Sequence, residues 1–256
     1  MRTWFPGSSR PTDSGPVLVC LAGAGGGAGE FREWPALLGD RIAVAPLALP
    51  GRERRLREPP LQDWNTLMRD VRTAVRPWFL RPFGLFGHSF GALVMLEIAW
   101  SIPERYRHNL LHMYVSSQAG PRLIRTRPPK DITDEGLTAY LRLLGGTPEQ
   151  VLDNKAFMDA YLPSLRADML LEAGYPYRSR GPLDCPVTAF IGADDPDVTT
   201  EEIRQWHVET HDFSVVQVPG GHFSLRTSAD RITDRIRRSL LTRAGEEPSP
   251  APIGDT

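Results

Sequence analysis

Short runs of consecutive apolar residues alternate along the chain with segments whose apolar residues recur every three or four positions. The short runs read as strands buried on both faces, and the periodic segments as the helices that cover them. The predicted strands are Val17–Ala22, Ile42–Pro46, Pro82–Gly87, Leu111–Ser116, Val187–Gly192 and Phe213–Pro219. Between them Gly29–Leu38, Asp63–Leu80, Phe90–Ile102 and a stretch near Thr200–Glu209 read as helices. Asp63 is a candidate N-cap, Pro103 a stop, and Arg231–Thr242 a closing amphipathic helix. This alternation predicts an α/β fold, with a mostly parallel central sheet and helices on both faces.

One stretch breaks the rhythm. From about Arg122 to Tyr177 no strand pattern appears, and Pro128-Pro129 punctuates the start. Its two periodic stretches, "TDEGLTAYLRLLGG" and "TPEQVLDNKAFMDAYLPSLRADMLLEA", read as helices inserted into the sheet domain. Beyond Ala244 the tail "GEEPSPAPIGDT" lacks core residues and is expected to be disordered. The expected organisation is a core of residues 1–121 and 183–243, a helical insertion at 122–182 and a tail at 244–256.

Composition narrows the function. A chain of 256 residues, 41% hydrophobic and 24% charged, suits one substantial core. Its 30 basic and 31 acidic side chains nearly cancel without a long single-sign block, which argues against a nucleic-acid partner. No apolar run reaches membrane-spanning length, and "MRTWFPGSSRPT" carries no apolar signal region, so a cytoplasmic location is expected. Cys20 and Cys185 lie in or beside strands and read as small buried hydrophobes.

Chemistry enters at Gly87-His88-Ser89-Phe90-Gly91, a G-x-S-x-G pentapeptide between a predicted strand and a predicted helix. That context marks a nucleophile elbow, in which a tight turn lifts the serine hydroxyl clear of the sheet. Glycine two positions either side leaves room for the turn. A serine hydroxyl needs a base beside it. His88 lies inside the elbow and is expected to pack beneath it. His108 and His112 flank a strand start, and His207 and His211 in "HVETH" lack the glutamate position of a zinc-protease pattern, so no metal is expected. His222 follows a strand and a Gly-Gly pair, where elbow hydrolases carry their base. The third partner must be an acid between the two in chain order. Asp194, Asp195 and Asp197 follow the strand Val187–Gly192; spacing favours Asp195, with Asp194 and Asp197 as loop caps.

The stretch Val17–Phe31 ends in a glycine cluster that also satisfies a dinucleotide-binding spacing. Such a site wants an acid at the end of the second strand, and "IAVAPLALPG" has none. Gly23–Gly27 is therefore expected to be an oxyanion loop, with the N–H groups of Ala24 and Phe90 as donors.

With these parts placed, the sequence resembles the type II thioesterases of polyketide and nonribosomal peptide assembly lines, in the α/β-hydrolase superfamily. The resemblance runs from about Val17 to Leu225 and is carried by "AGGGAGEF", "LPGRERRLREPP", "FGLFGHSFGALVMLEIA", "LRLLGGTPEQVL", "LPSLRADMLLEAGYPY", "PLDCPVTAFIGADDPDV" and "PGGHFSL". It implies a triad of Ser89, Asp195 and His222, an oxyanion hole of Ala24 and Phe90, and a mobile helical lid at the insertion. It also implies hydrolysis of acyl thioesters on the phosphopantetheine arm of an acyl or peptidyl carrier protein, clearing stalled groups, by a monomer needing no cofactor. Arg52, Arg54, Arg55 and Arg57 are candidates for docking an acidic carrier; a solvated loop with Glu53 and Glu58 in local pairs is the alternative. The chain departs from the family at Leu21, Ala22 and Gly23, where Phe-Pro and an aromatic or histidine are usual. A product-releasing thioesterase, a carboxylesterase with the same triad, and a non-catalytic binding protein of the same fold are the competing readings.

Overall fold

The computed structural model describes residues 4–8, 15–127 and 130–246. The expectation for the tail falls, beyond residue 246, outside them, as does the Pro128-Pro129 break. Six strands form one sheet: β1 (Val17–Leu21), β2 (Ala43–Pro46), β3 (Phe83–His88), β4 (Leu110–Ser116), β5 (Val187–Gly192) and β6 (Phe213–Val218). Their order is β2-β1-β3-β4-β5-β6, and every pairing is parallel. The carboxyl ends of β1, β3, β5 and β6 therefore share one edge. The chain reverses direction across the sheet between β1 and β3, where α/β sheets open a crevice.

Alternation along β1 shows why the sheet is buried on both sides. Val17, Val19 and Leu21 face one core, which α2 (Trp64–Val75) and α3 (Phe90–Ser101) complete. Leu18, Cys20 and Ala22 face the other, with α1 (Trp34–Leu38) and α10 (Ala229–Arg243). Short helices α4 (Glu104–Arg107), α8 (Thr200–Arg204) and α9 (Ser224–Thr227) fill connections. Both cysteines are buried and free, and burial pushes the Cys185 thiol up to about 12.

Several expected helices are shorter. Gly29–Leu38 divides into a 3-10 turn at Ala28–Phe31 and α1, because Pro35 starts a helix afresh. Asp63–Leu80 divides into α2 and a 3-10 turn at Arg76–Leu80, because Pro77 has no N–H to continue the ladder. Asp63 does cap α2, its carboxylate accepting the Thr66 N–H at 2.8 Å.

The insertion holds α5 (Asp134–Leu144), α6 (Glu149–Leu152) and α7 (Lys155–Ala173). The second long periodic stretch splits at Asn154, whose side chain accepts the Phe157 N–H at 3.0 Å and caps a new helix. Leu137, Leu141, Leu152, Met158, Leu162, Leu165 and Met169 form a core of their own. Near its end α7 is tied to the sheet domain by Trp64, whose indole N–H donates to the Leu171 carbonyl at 2.7 Å.

Candidate active site

Ser89 lies between β3 and α3 at φ 49° and ψ −128°, a strained backbone for a residue with a side chain. Gly91 permits it: a Cβ there would stand 2.5 Å from the carbonyl oxygens of Leu21 and Ala22. At Gly87 a Cβ would lie 2.4 Å from the Ala92 Cα. The turn is held by the Ser89 N–H on the Ser116 carbonyl and the Ala92 N–H on the Ser89 carbonyl, both at 2.8 Å.

His88 packs beneath the elbow, its Nδ1 3.2 Å from the Ser116 hydroxyl and its ring 5.0 Å from that of His222. Burial, reinforced by His222, holds its pKa well below the ordinary histidine value, so the ring stays neutral.

Asp195 and His222 meet because the loops after β5 and β6 run side by side. The Ala193 N–H donates to Val218 at 2.8 Å and the Asp194 N–H to Gly220 at 3.0 Å. His222 Nδ1 then stands 3.2 Å from each Asp195 oxygen, with the two side chains 2% and 0% exposed. Burial pushes the Asp195 carboxyl up, but His222 and the Asp197 N–H outweigh it and hold it below the usual aspartate value. With Nδ1 on the carboxylate, Nε2 is left as the acceptor for a serine proton. Ser89 and His222 line the same narrow cavity of about 20 Å³, with Tyr140, Leu141 and Met169 of the insertion as its roof.

The glycine loop carries the candidate oxyanion donors. Gly23 to Gly26 form a turn closed by the Gly26 N–H on the Gly23 carbonyl at 2.9 Å, with Gly25 at φ 72°. Among the described residues neither the Ala24 nor the Phe90 N–H donates a hydrogen bond, and Ala24 lines the cavity of Ser89. A Cβ on Gly23 would come within 3.2 Å of the Ser89 Cβ.

Two expectations need correction. Asp197 is no loop cap: its carboxylate takes Lys130 at 3.1 Å, the Tyr140 hydroxyl at 3.0 Å and Arg127 at 3.3 Å, all from the insertion. The cap is made by Asp195, which accepts the N–H groups of Asp197 and Val198 at 3.0 and 3.2 Å. Asp194 is exposed.

The arginine loop also divides. Arg52 and Arg55 are buried and cannot dock a partner. Arg55 pairs with Glu58, donates to the Ala48 carbonyl at 2.9 Å and lies 4.1 Å over the Trp4 ring. Arg52 grips Asp168 of α7. Glu53, itself exposed, reaches back to the glycine loop, accepting the Ala28 and Gly29 N–H groups at 3.1 and 2.8 Å. Of the four arginines only Arg54 and Arg57 are exposed. His207 and His211 are exposed, and among the described residues no His, Cys, Asp or Glu cluster could hold a metal. No helix among them is long and apolar enough to cross a membrane.

A parallel sheet with an elbow serine after β3, an acid after β5 and a histidine after β6 defines an α/β hydrolase. Within that class the chain belongs to the thioesterase domain family, which it matches over residues 16–240. It is a thioester hydrolase. Gramicidin S biosynthesis protein GrsT of Aneurinibacillus migulanus is 36% identical over 93% of each chain. Among solved structures, the thioesterase RedJ of the prodiginine pathway in Streptomyces coelicolor superposes with a TM-score of 0.81 at 36% identity, covering 90% of this chain and 94% of its own. The type II thioesterase BorB of the borrelidin cluster gives 0.78 at 33%, covering 93% and 97%.

Proposed function

We propose that this thioesterase edits a polyketide or nonribosomal peptide assembly line, hydrolysing stalled acyl groups from the phosphopantetheine arm of a carrier protein. Ser89 is the nucleophile, His222 the base and Asp195 the acid that orients it. His222 takes the Ser89 proton as the hydroxyl oxygen attacks the thioester carbonyl. The N–H groups of Ala24 and Phe90 receive the oxyanion. The arm leaves as its thiol, protonated by His222. Water, deprotonated in turn by His222, then attacks the acyl-serine, and His222 returns that proton to the departing Ser89 oxygen as the acid is freed. The observation that carries this reading is the His222 Nδ1 contact with both Asp195 oxygens, at 3.2 Å, on an imidazole that lines the same cavity as Ser89.

The insertion acts as a lid. A cavity of about 20 Å³ at Ser89 has room for one water and no acyl group, so α5, which roofs it with Tyr140, Leu141 and Leu144, must shift for substrate to enter. A larger space of about 240 Å³ shares Gly23, Ala24, His88 and Phe223 with it and is walled by Val151, Phe157, Met158 and Tyr161. These apolar walls suit an acyl chain.

The test is a panel of acyl groups loaded on a carrier protein, with wild type and Ser89→Ala. Wild type should release short acyl groups, and the variant should lose at least ~10⁴-fold in rate. A fluorophosphonate probe should label Ser89 in the wild type only. Undiminished turnover by Ser89→Ala, or hydrolysis of nitrophenyl esters but not of carrier thioesters, overturns the reading.

A further inference from the structure

We propose that Asp168 of α7, clamped by Arg52, is a positioning residue for the oxyanion loop, so that the insertion aims the Ala24 N–H at the reacting carbonyl. The inference rests on the oxyanion role of Ala24 proposed above.

The geometry runs through one turn. In a trans peptide the C=O and N–H point opposite ways. The Gly23 carbonyl is taken by the Gly26 N–H, so the Ala24 N–H, on the other side of the same peptide plane, faces away from the turn's interior. Its direction is therefore set by whatever fixes the turn. The Gly25 N–H donates to Asp168 Oδ2 at 2.8 Å. The Gly26 carbonyl accepts from Arg52 Nη1 at 3.2 Å. Arg52 and Asp168 close on each other through two bonds, Nη1 to Oδ2 at 2.6 Å and Nη2 to Oδ1 at 3.1 Å. Three segments distant in sequence thus meet on one carboxylate and one guanidinium, whose side chains are 1% and 5% exposed.

A buried ion pair is a poor way to gain stability, since apolar residues of similar volume often serve the fold as well. What it adds is direction. A planar guanidinium and a carboxylate in two parallel bonds fix angles that aliphatic packing leaves loose. The second device is Gly25 itself. Its φ of 72° suits the third position of the turn, and a Cβ there would stand 2.6 Å from the Tyr161 hydroxyl of α7. Helix α7 therefore fits the oxyanion loop by shape as well as by charge.

The experiment uses the full chain with an acyl-carrier substrate. Asp168→Asn keeps the shape and loses the charge; the double variant Arg52→Met/Asp168→Leu removes both charges together and leaves neither buried alone. Folding is checked by circular dichroism and melting. Either folded variant should lose about 10- to 100-fold in kcat, less than removal of a donor outright, with KM within about twofold. A trifluoromethyl ketone, which forms a tetrahedral adduct on Ser89, should weaken by a similar factor. A pantetheine ether with no carbonyl to place should bind unchanged. A folded variant with wild-type kcat, or one whose affinity for both ligands falls alike, overturns the proposal. If the double variant does not fold, Asp168→Asn decides by the same criteria. Failure of the underlying hydrolase reading looks different: the wild type itself would then neither turn over nor label at Ser89.

Discussion

The insertion meets the active site at two places, and they are built differently. On the side of the glycine loop one carboxylate, Asp168, and one guanidinium, Arg52, meet in a dry interior. On the acid side Asp197 is 12% exposed and shared among Arg127, Lys130 and Tyr140, with the two cations 20% and 25% exposed. Among the described residues Arg52 is the one cation on Asp168. The second junction is wetter and redundant, so losing one cation leaves another. The two junctions therefore differ in how much the loss of a single partner should cost.

Unpairing each junction should separate the two by the size of the loss. Arg52→Met leaves the Asp168 carboxylate buried with the Gly25 N–H but without its cation. Loss of one partner of a buried pair costs about 3–5 kcal/mol. In a chain of this size that lowers the melting temperature by roughly 2–4 °C per kcal/mol. Adding Asp168→Leu should restore most of the loss. Chemical denaturation of the single and double variants measures both, and equal stability of the two would show that Asp168 is not dependent on Arg52.

Asp197→Asn should cost less, about 1 kcal/mol, because water reaches this junction and screens it. Its pH dependence is the cleaner signature. Burial pushes the Asp197 carboxyl up, yet Lys130 and Arg127 more than offset this and leave it below the usual aspartate value. A group depressed in the folded state stabilises fully above its unfolded value of about 3.9, and the contribution fades as pH falls through the folded one. The stability gap between wild type and Asp197→Asn should therefore be flat from neutral pH to about pH 5 and close below pH 4. A gap that widened on acidification would mean that the ion cluster does not hold this junction.

What could be read from the chain alone follows the same divide between local and distant. The strands stand within a residue or so of their apolar runs, and β5 spans Val187–Gly192 as expected, because a run bounded by turn residues contains its own evidence. The elbow is equally local, since its glycines make room for a turn within five residues. Helix ends were less legible where Pro35, Pro77 and Asn154 restart or stop a helix inside a continuous apolar pattern. Least legible was the Arg52–Asp168 pair, 116 residues apart, where neither partner's neighbourhood names the other. One signal was present. Asp168 falls in the same helical stripe as Leu162, Leu165 and Met169, and a carboxylate on a buried face requires a partner. The burial of Arg55 and the reach of Glu53 to the glycine loop had no such mark, because a run of charges reads first as a solvated loop.

That run supplies the smallest expected effect. Within "GRERR" and the residue pair after it, Arg52 and Arg55 are structural, whereas Arg54 and Arg57 are exposed. Arg54→Ser and Arg57→Ser together should change stability by no more than about 0.5 kcal/mol, as surface substitutions do. If the two exposed arginines steer an acidic carrier, kcat should hold while the apparent association rate falls a few-fold at low salt, the difference vanishing as ionic strength shortens the reach of the charges. Stopped-flow binding of the carrier at two salt concentrations reads this directly. A salt-independent loss would point to a direct contact, and no loss at all would leave the whole loop to the fold, with Arg52 the one of its four arginines bonded to the glycine loop.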